Sequence, residues 1–266
     1  MNNNPIGILD SGVGGLTVLQ AVITELPHES VVYIGDSLNI PYGAKSADEI
    51  YNLAKELIEF LLSKKVKLIV IACNTITVCC LDRLRSEYPD VPIVGAVPVV
   101  KTAAAVSENK RIGILSTTQT AQSDYQKHLI EEFANGCDVL NYGTDELVPL
   151  IEKGLLGGPK LKTVLQKVLL PFQKEDVDTI ALGCTHFPLV RKQMQEILGP
   201  HVQLLDSGGA IARQVRRVLE HNNARAEHTN SEIMVYTTGD PDIAKKLVVS
   251  TIEKQPVIVH LATINI

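Results

Sequence analysis

The 266-residue sequence has no tryptophan, and its aromatic residues are limited to seven tyrosines and four phenylalanines. Acidic residues outnumber basic ones by 30 to 25, which gives a formal net charge of -5, and no long basic run occurs. Proteins that bind nucleic acids usually need a basic face and aromatic rings for stacking. The composition therefore indicates a function that requires no nucleic acid.

Long hydrophobic runs and targeting signals are also missing. The longest aliphatic run extends from Leu68 to Cys73, whereas a membrane span needs roughly 18–20 apolar residues. Residues 1–5 have neither the basic region nor the apolar region of a signal peptide. We therefore expect a soluble, cytoplasmic protein without a membrane partner.

Cysteines are few, and no CxxC motif is present. Cys73, Cys79, Cys80, Cys137 and Cys184 make an odd number in a sequence without a secretion signal, so we expect reduced thiols rather than disulfides. We expect Cys79, Cys80 and Cys137 to be small buried apolar residues. With 45% hydrophobic and 21% charged residues, the composition is that of a globular protein and excludes disorder, collagen and coiled coils.

Short aliphatic runs alternate with helical segments along the chain. Solid runs of Ile, Leu and Val are typical of strands that are covered on both faces of a parallel sheet. In segment 47–63 apolar residues recur at helical spacing, and Ser46 precedes the segment as a candidate N-cap. The predicted strands are Ile6–Leu9, Val31–Ile34, Leu68–Ala72, Pro92–Gly95, Ile112–Leu115, Asp138–Leu140, Thr179–Leu182, Val202–Leu205, Ile233–Tyr236 and Val257–His260.

Two sequence landmarks recur in the same order in the two halves of the chain. Ile6–Leu9 is repeated as Ile112–Leu115, and the segment from Leu68 to Thr75 is matched by the segment from Thr179 to His186. The similar offsets favour internal duplication over a chance likeness of aliphatic strands. We therefore predict an α/β fold of two similar doubly wound parallel-sheet domains related by pseudo-symmetry. The loops at the carboxyl ends of the strands would face a cleft between the domains, where the active site is expected.

A glycine-rich turn from Asp10 to Gly15 follows the first predicted strand. It is not a dinucleotide fingerprint, because Thr17 stands where the third glycine would be, and it lacks the GK[ST] of a P-loop. The turn can still offer backbone N–H groups to an anion at a helix N-terminus. The alternative is a tight turn in which Asp10 or Ser11 caps the helix.

Cys73 and Cys184 stand at equivalent strand ends of the two repeats. With Asp10 and His186 they could bind zinc, although the close ligand pairs of zinc proteins are missing. They could also form a redox disulfide if the two thiols were in contact. The third chemistry is acid and base catalysis on opposite faces of a substrate, which inverts a carbon centre.

At these residues the sequence resembles the glutamate racemases, over nearly the whole chain. The motifs are the segment from Leu9 to Leu16, Ile34-Gly35-Asp36 with Pro41-Tyr42-Gly43, Ala72-Cys73-Asn74-Thr75, and the segment from Gly183 to Pro188. All four in this order, with both cysteines, distinguish the sequence from single-cysteine relatives such as arylmalonate decarboxylase. The Asp-Ser-Gly-x-Gly-Gly element favours glutamate racemase over aspartate racemase.

The resemblance implies a racemase that interconverts L- and D-glutamate without a cofactor or a metal and supplies D-glutamate for bacterial peptidoglycan. It also implies a discontinuous first domain, made of residues 1–97 and 207–266, with residues 98–206 forming the second domain. The small-molecule partner would be glutamate, and a homodimer is a further expectation.

The resemblance also assigns roles to the site residues. Cys73 is expected to exchange the proton on the D-face of the substrate, and Cys184 the proton on the L-face. Asp10 is expected beside Cys73, and His186 beside Cys184, as helpers of proton transfer. The residues expected to bind substrate are Asp10, Ser11, Tyr42, Gly43, Asn74, Thr75, Thr185 and His186.

Three residues are weaker candidates. Thr117 follows the first strand of the second repeat and could donate to a substrate carboxylate. Asp36 and Glu152 are carboxylates whose alternative role is that of a solvated or capping acid. At the level of function, the alternatives are an aspartate racemase, a non-catalytic two-domain amino-acid-binding protein and a zinc hydrolase.

Overall fold

The structure is a computed structural model, and it describes residues 2–96, 99–227 and 231–252. The strands are β1 Ile6–Asp10, β2 Val31–Gly35, β3 Leu68–Ile71, β4 Ile93–Gly95, β5 Arg111–Ser116, β6 Asp138–Gly143, β7 Thr179–Gly183, β8 Gln203–Leu205 and β9 Ile233–Thr237. The helices are α1 Leu16–Glu25, α2 Ala47–Ser63, α3 Asn74–Glu87, α4 Val100–Val106, α5 Thr118–Gln122, α6 Asp124–Phe133, α7 Val148–Glu152, α8 Pro159–Lys174, α9 Arg191–Leu198, α10 Gly208–His221 and α11 Pro241–Thr251. Short 3-10 turns lie at Ser37–Asn39, Tyr42–Ala44 and Phe187–Val190.

The described strands form two sheets in which every pairing is parallel. The first sheet has the order β4-β3-β1-β2-β9, and the second has the order β6-β5-β7-β8. When the second sheet is read from its β8 edge, its order is β8-β7-β5-β6. This order corresponds to β4-β3-β1-β2 of the first sheet, which has β9 as an additional strand. The predicted fold of two similar parallel-sheet halves is confirmed.

The predicted strands from Ile6–Leu9 to Ile233–Tyr236 are present, with bounds that shift by a few residues. The central strands β1, β3 and β7 are buried along their whole length, as solid aliphatic runs predict. β6 is partly exposed because it lies at a sheet edge. The predicted strand Val257–His260 lies outside the described residues.

The first sheet draws its strands from residues 6–95 and again from β9, whereas the second sheet lies wholly within residues 111–205. α10 follows the second sheet but packs on α1 of the first half, where Leu19, Val22, Val215 and Leu219 share one buried core. The domain boundaries at residues 97 and 207 stay a prediction.

α2 begins with the capping arrangement that its sequence predicts. The Ser46 hydroxyl accepts a hydrogen bond from the Glu49 N–H at 3.3 Å, and the Glu49 carboxylate accepts one from the Ser46 N–H at 2.9 Å. This reciprocal pair satisfies backbone donors that the first turn leaves without helical partners. In the described part of the chain, no helix combines the length and apolar character needed to cross a bilayer.

Candidate active site

A small cavity of about 10 Å³ lies where the carboxyl ends of strands from the two sheets meet. Both halves of the chain supply its walls, as the duplicated fold predicts. The lining residues are Ser11, Pro41, Tyr42, Gly43, Cys73, Asn74, Thr75, Thr117, Asp145, Val148, Cys184, Thr185 and His186.

Cys73 enters the cavity from the first half, between the end of β3 and the start of α3. It is buried, and its Sγ donates to Ser11 Oγ at 3.4 Å. Burial, followed by the negative charge of Asp10, raises the pKa of the Cys73 thiol to about 12. Cys73 is therefore a neutral thiol at pH 7 in this arrangement.

Asp10, the last residue of β1, is held by the glycine-rich turn. Its Oδ2 accepts hydrogen bonds from the N–H groups of Gly12 at 3.1 Å and Gly15 at 3.0 Å, and its Oδ1 accepts one from the Thr185 hydroxyl at 3.2 Å. A Cβ at Gly15 would lie 2.6 Å from the Asp10 Cβ, so this close approach requires glycine. Burial raises the pKa of Asp10 to about 6, although the charge of His186 and the two backbone donors oppose the rise.

Cys184 enters the cavity from the second half, directly after β7, and begins a chain of polar contacts. Its Sγ lies 3.7 Å from His186 Nδ1, and His186 Nε2 lies 2.5 Å from Glu152 Oε1. Glu152 also accepts a hydrogen bond from the Val13 N–H at 2.7 Å. Burial by itself would lower the pKa of His186, but the hydrogen bonds to Cys184 and Glu152 and the Glu152 charge raise it well above its usual value. These contacts favour the protonated form of the imidazole.

Hydrogen-bonding side chains fill much of the remaining wall. The Thr75 and Thr117 hydroxyls, one from each half, lie 3.0 Å apart. Asn74 is 2% exposed, and neither polar atom of its amide has a hydrogen-bond partner among the described residues. A buried polar group left in this way costs about 1–3 kcal/mol, so the Asn74 amide is suited to a polar ligand in the cavity.

Nearly every residue predicted to bind substrate lines the cavity, namely Ser11, Tyr42, Gly43, Asn74, Thr75, Thr185 and His186. Asp10 lies behind this wall, bonded to Thr185, and the weaker candidate Thr117 is part of the wall. Asp36 is fully buried and accepts hydrogen bonds from the hydroxyls of Tyr42 and Thr238, each at 2.7 Å. It therefore supports Tyr42 from behind rather than facing the cavity.

Other site residues carry weak sequence signals. Asp145 and Val148 line the cavity, and their signal is that they follow β6 at its carboxyl end. Tyr33 lies within β2, where it reads as an ordinary strand residue, yet its hydroxyl donates to the Gly12 carbonyl at 2.5 Å. That contact helps to fix the turn that holds Asp10.

The zinc alternative requires a cluster of ligands. Among the described residues, no three His, Cys, Asp or Glu side chains are arranged so that they could hold a metal ion. The geometry gives the zinc alternative no support.

The fold and the cavity define a class of two-lobed α/β proteins in which each lobe presents one cysteine to a common cleft. A family model described as Asp/Glu/Hydantoin racemase matches residues 6–215, and the chain belongs to this family.

Named relatives and solved structures agree with this assignment. The chain is 40% identical over 243 residues to a glutamate racemase from Pseudomonas entomophila, covering 91% of this chain and 92% of that protein. A crystal structure of glutamate racemase isoform RacE1 from Bacillus anthracis matches with a TM-score of 0.86 and 32% identity, covering 98% of each chain. Glutamate racemase from Francisella tularensis in complex with D-glutamate matches with a TM-score of 0.84 and 28% identity, also covering 98% of each chain.

Proposed function

We propose that this chain is a cofactor-independent glutamate racemase that exchanges the proton on the substrate Cα between two thiols. The observation that carries the proposal is that Cys73 and Cys184 line one cavity from opposite halves of the molecule. The names of the relatives support glutamate as the substrate. The D-glutamate complex of a structural neighbour supports a dicarboxylic amino acid in the cleft.

The reaction conserves protons. A thiolate on one face removes the Cα proton and becomes a thiol, while the thiol on the other face protonates the resulting carbanion and becomes a thiolate. The Cα proton is far less acidic than a thiol, and each unit of pKa mismatch costs about 1.36 kcal/mol. Alignment of the reacting groups can supply roughly 7–11 kcal/mol of this cost, and hydrogen bonds to the developing charge supply more.

The surroundings of the two thiols differ, which divides the work between them. The Cys73 thiol, with its pKa of about 12, is poised to give a proton. Cys184 Sγ lies 3.7 Å from His186 Nδ1, where a protonated imidazole would stabilise a thiolate by its charge. With Cys184 on the L-face, a thiolate at this position would begin the conversion of L-glutamate to D-glutamate.

The substrate's own charges need partners in the cleft. The Asn74 amide and the hydroxyls of Thr75 and Thr185 supply donors to the α-carboxylate, and the backbone N–H groups of the Tyr42–Gly43 turn supply donors to the distal carboxylate. Asp10 is placed to attract the ammonium group through the cavity wall. Neutral donors suit this task, because binding that is equal in the ground state and the transition state does not raise kcat.

The wider biological setting belongs to the same proposal. D-Glutamate made by this chain would supply peptidoglycan synthesis in the cytoplasm, and we expect the chain to work as a homodimer.

The test follows the optical rotation of L-glutamate with purified protein, with a chelator present and no cofactor added. We expect the signal to fall to zero with wild type, and Cys73→Ser and Cys184→Ser to be nearly inactive. Cys137→Ser is the control, because Cys137 packs in a different core of the second half. In D2O, the product should acquire deuterium at Cα.

Two other outcomes would contradict the proposal and indicate a different function. Turnover of aspartate but not glutamate would identify an aspartate racemase. Glutamate binding without turnover, unchanged by either cysteine substitution, would identify a binding protein.

A further inference from the structure

Asp145 brings a negative charge to the part of the cavity wall that faces the Tyr42–Gly43 turn. It lies in the loop between β6 and α7, is half-buried, and lines the cavity. Its Oδ1 accepts a hydrogen bond from the Thr118 N–H at 3.3 Å. Among the cavity-lining residues, Asp145 is the one carboxylate.

Asp145 stands directly against the turn on the other side of the cleft. A Cβ built on Gly43 would lie 2.6 Å from Asp145 Oδ1 and 3.1 Å from the Thr117 Cβ. A side chain at position 43 would therefore require this carboxylate to move. The Asp145 carboxylate therefore lies against Gly43, in the turn whose backbone N–H groups we assign to the substrate's distal carboxylate.

The charge of Asp145 has no cationic partner within the described ranges. The ion pairs found there involve other acids, and Asp145 is in none of them. A single backbone donor does not neutralise a carboxylate. At a partly buried site the repulsion between two carboxylates is stronger than in bulk water.

We propose that Asp145 is a specificity-determining residue that weakens the binding of the substrate's distal carboxylate by competing with it for the Tyr42–Gly43 turn. This inference rests on the proposed function, because it takes an acidic amino acid as the ligand. It predicts that glutamate binds less tightly than it would bind to the same donor groups without the Asp145 charge. It also predicts that a ligand with a neutral distal group is not penalised in the same way.

The experiment compares wild type with Asp145→Asn, which removes the charge and keeps the shape. We expect the KM for both enantiomers of glutamate to fall about tenfold in the variant. L-Glutamine, tested as a competitive inhibitor, should not gain affinity, because its distal amide carries no charge. Asp138→Asn is the matched control, since Asp138 is an exposed aspartate at the opposite end of β6.

Each result separates this inference from the proposed function. An active wild type with an unchanged KM in Asp145→Asn would overturn the role of Asp145 alone. An equal gain in affinity for glutamine would show a steric effect and would also overturn it. A wild type that racemises no glutamate would overturn the proposed function itself. Circular dichroism and thermal melting of the variant would show that it is folded.

Discussion

At the scale of single residues, Asp10 is a site residue whose buried charge lowers the stability of the folded protein. The residue is fully buried, and its carboxyl pKa is raised from 3.8 to about 6. At neutral pH Asp10 is nevertheless ionised, so the folded protein holds a charge that burial disfavours. The difference between the two pKa values corresponds to about 3 kcal/mol of lost stability. A carboxylate kept at this cost is consistent with a role in handling the substrate's charge.

We therefore expect Asp10→Asn to be more stable than wild type at pH 8, by up to about 3 kcal/mol. The amide keeps an oxygen for the Gly12 and Gly15 donors and removes the buried charge. Because the pKa is higher in the folded state, wild type loses stability relative to the variant as the pH rises from about 4 to about 6, and the difference is constant above that range. Urea unfolding at pH 4 and pH 8 measures it.

Asp138→Asn is the control for this prediction, because the Asp138 carboxylate is exposed in wild type. The stability of this variant should follow that of wild type at both pH values. Racemisation should fall sharply in Asp10→Asn and persist in the control. An Asp10→Asn protein that is less stable than wild type at pH 8 would contradict the argument. In that case the hydrogen bonds of the carboxylate would outweigh its burial.

At the scale of an element, α2 depends on its cap. The reciprocal hydrogen bonds of Ser46 and Glu49 satisfy donors at its first turn. We expect Ser46→Ala to lower the free energy of unfolding by about 1 kcal/mol, measured by urea denaturation. Ser63→Ala, at the other end of the helix, removes only a bond from its own hydroxyl to the Phe60 carbonyl and should have a smaller effect. Equal losses of unfolding free energy in the two variants would show that the cap stabilises α2 no more than an ordinary side-chain hydrogen bond does.

Elements whose residues obey one simple rule could be predicted from the sequence. β1 and β3 are solid aliphatic runs in the centre of a sheet, and α2 carries both an apolar face and a cap. β6 was predicted only as far as Leu140, because Asn141 interrupts the apolar pattern. In the structure Asn141 satisfies its polar atoms with Gln126 and the Ala121 carbonyl, which allows the edge strand to continue.

The site could be predicted where a motif stands at the end of a central strand. Both cysteines, Asn74 and His186 belong to such motifs, and all of them line the cavity. Asp145 could not be predicted, because its place depends on how a loop of the second half meets the Gly43 turn of the first. Such a contact between halves leaves no periodic trace in the sequence.

At the scale of the whole molecule, the two halves close tightly over the cavity. The Thr185 hydroxyl donates to Asp10 at 3.2 Å, and the Thr75 and Thr117 hydroxyls lie 3.0 Å apart. A cavity of about 10 Å³ has room for about one water molecule. Glutamate is much larger, so we expect the halves to separate when it enters, with loss of these hydrogen bonds. Closure around the substrate then excludes water from the reacting centre.

A buried ion pair stabilises the first half at the amino ends of β1, β2 and β3, which are the strand ends away from the cavity. Lys67 Nζ donates to Glu29 Oε2 and to the Asn2 carbonyl, each at 2.6 Å, and Glu29 Oε1 accepts from the Ala226 N–H at 2.9 Å. The side chains of Lys67 and Glu29 are 1% and 2% exposed. The pair thus joins the N-terminal segment, the start of β3 and the segment after α10.

Removing one partner of this pair should cost much more than removing both. We expect Lys67→Met to lower the free energy of unfolding by about 3–5 kcal/mol, because Glu29 is left as an unpaired buried charge. Adding Glu29→Gln should restore a large part of that loss, since the amide keeps an acceptor for Ala226 and carries no charge. Lys55→Met, which breaks a partly exposed pair with Glu87, should cost less than about 1 kcal/mol. Urea unfolding of Lys67→Met, Glu29→Gln, the double variant, Lys55→Met and wild type measures the coupling. A double variant no more stable than Lys67→Met would show that the lysine acts through its bond to the Asn2 carbonyl rather than through the charge of Glu29.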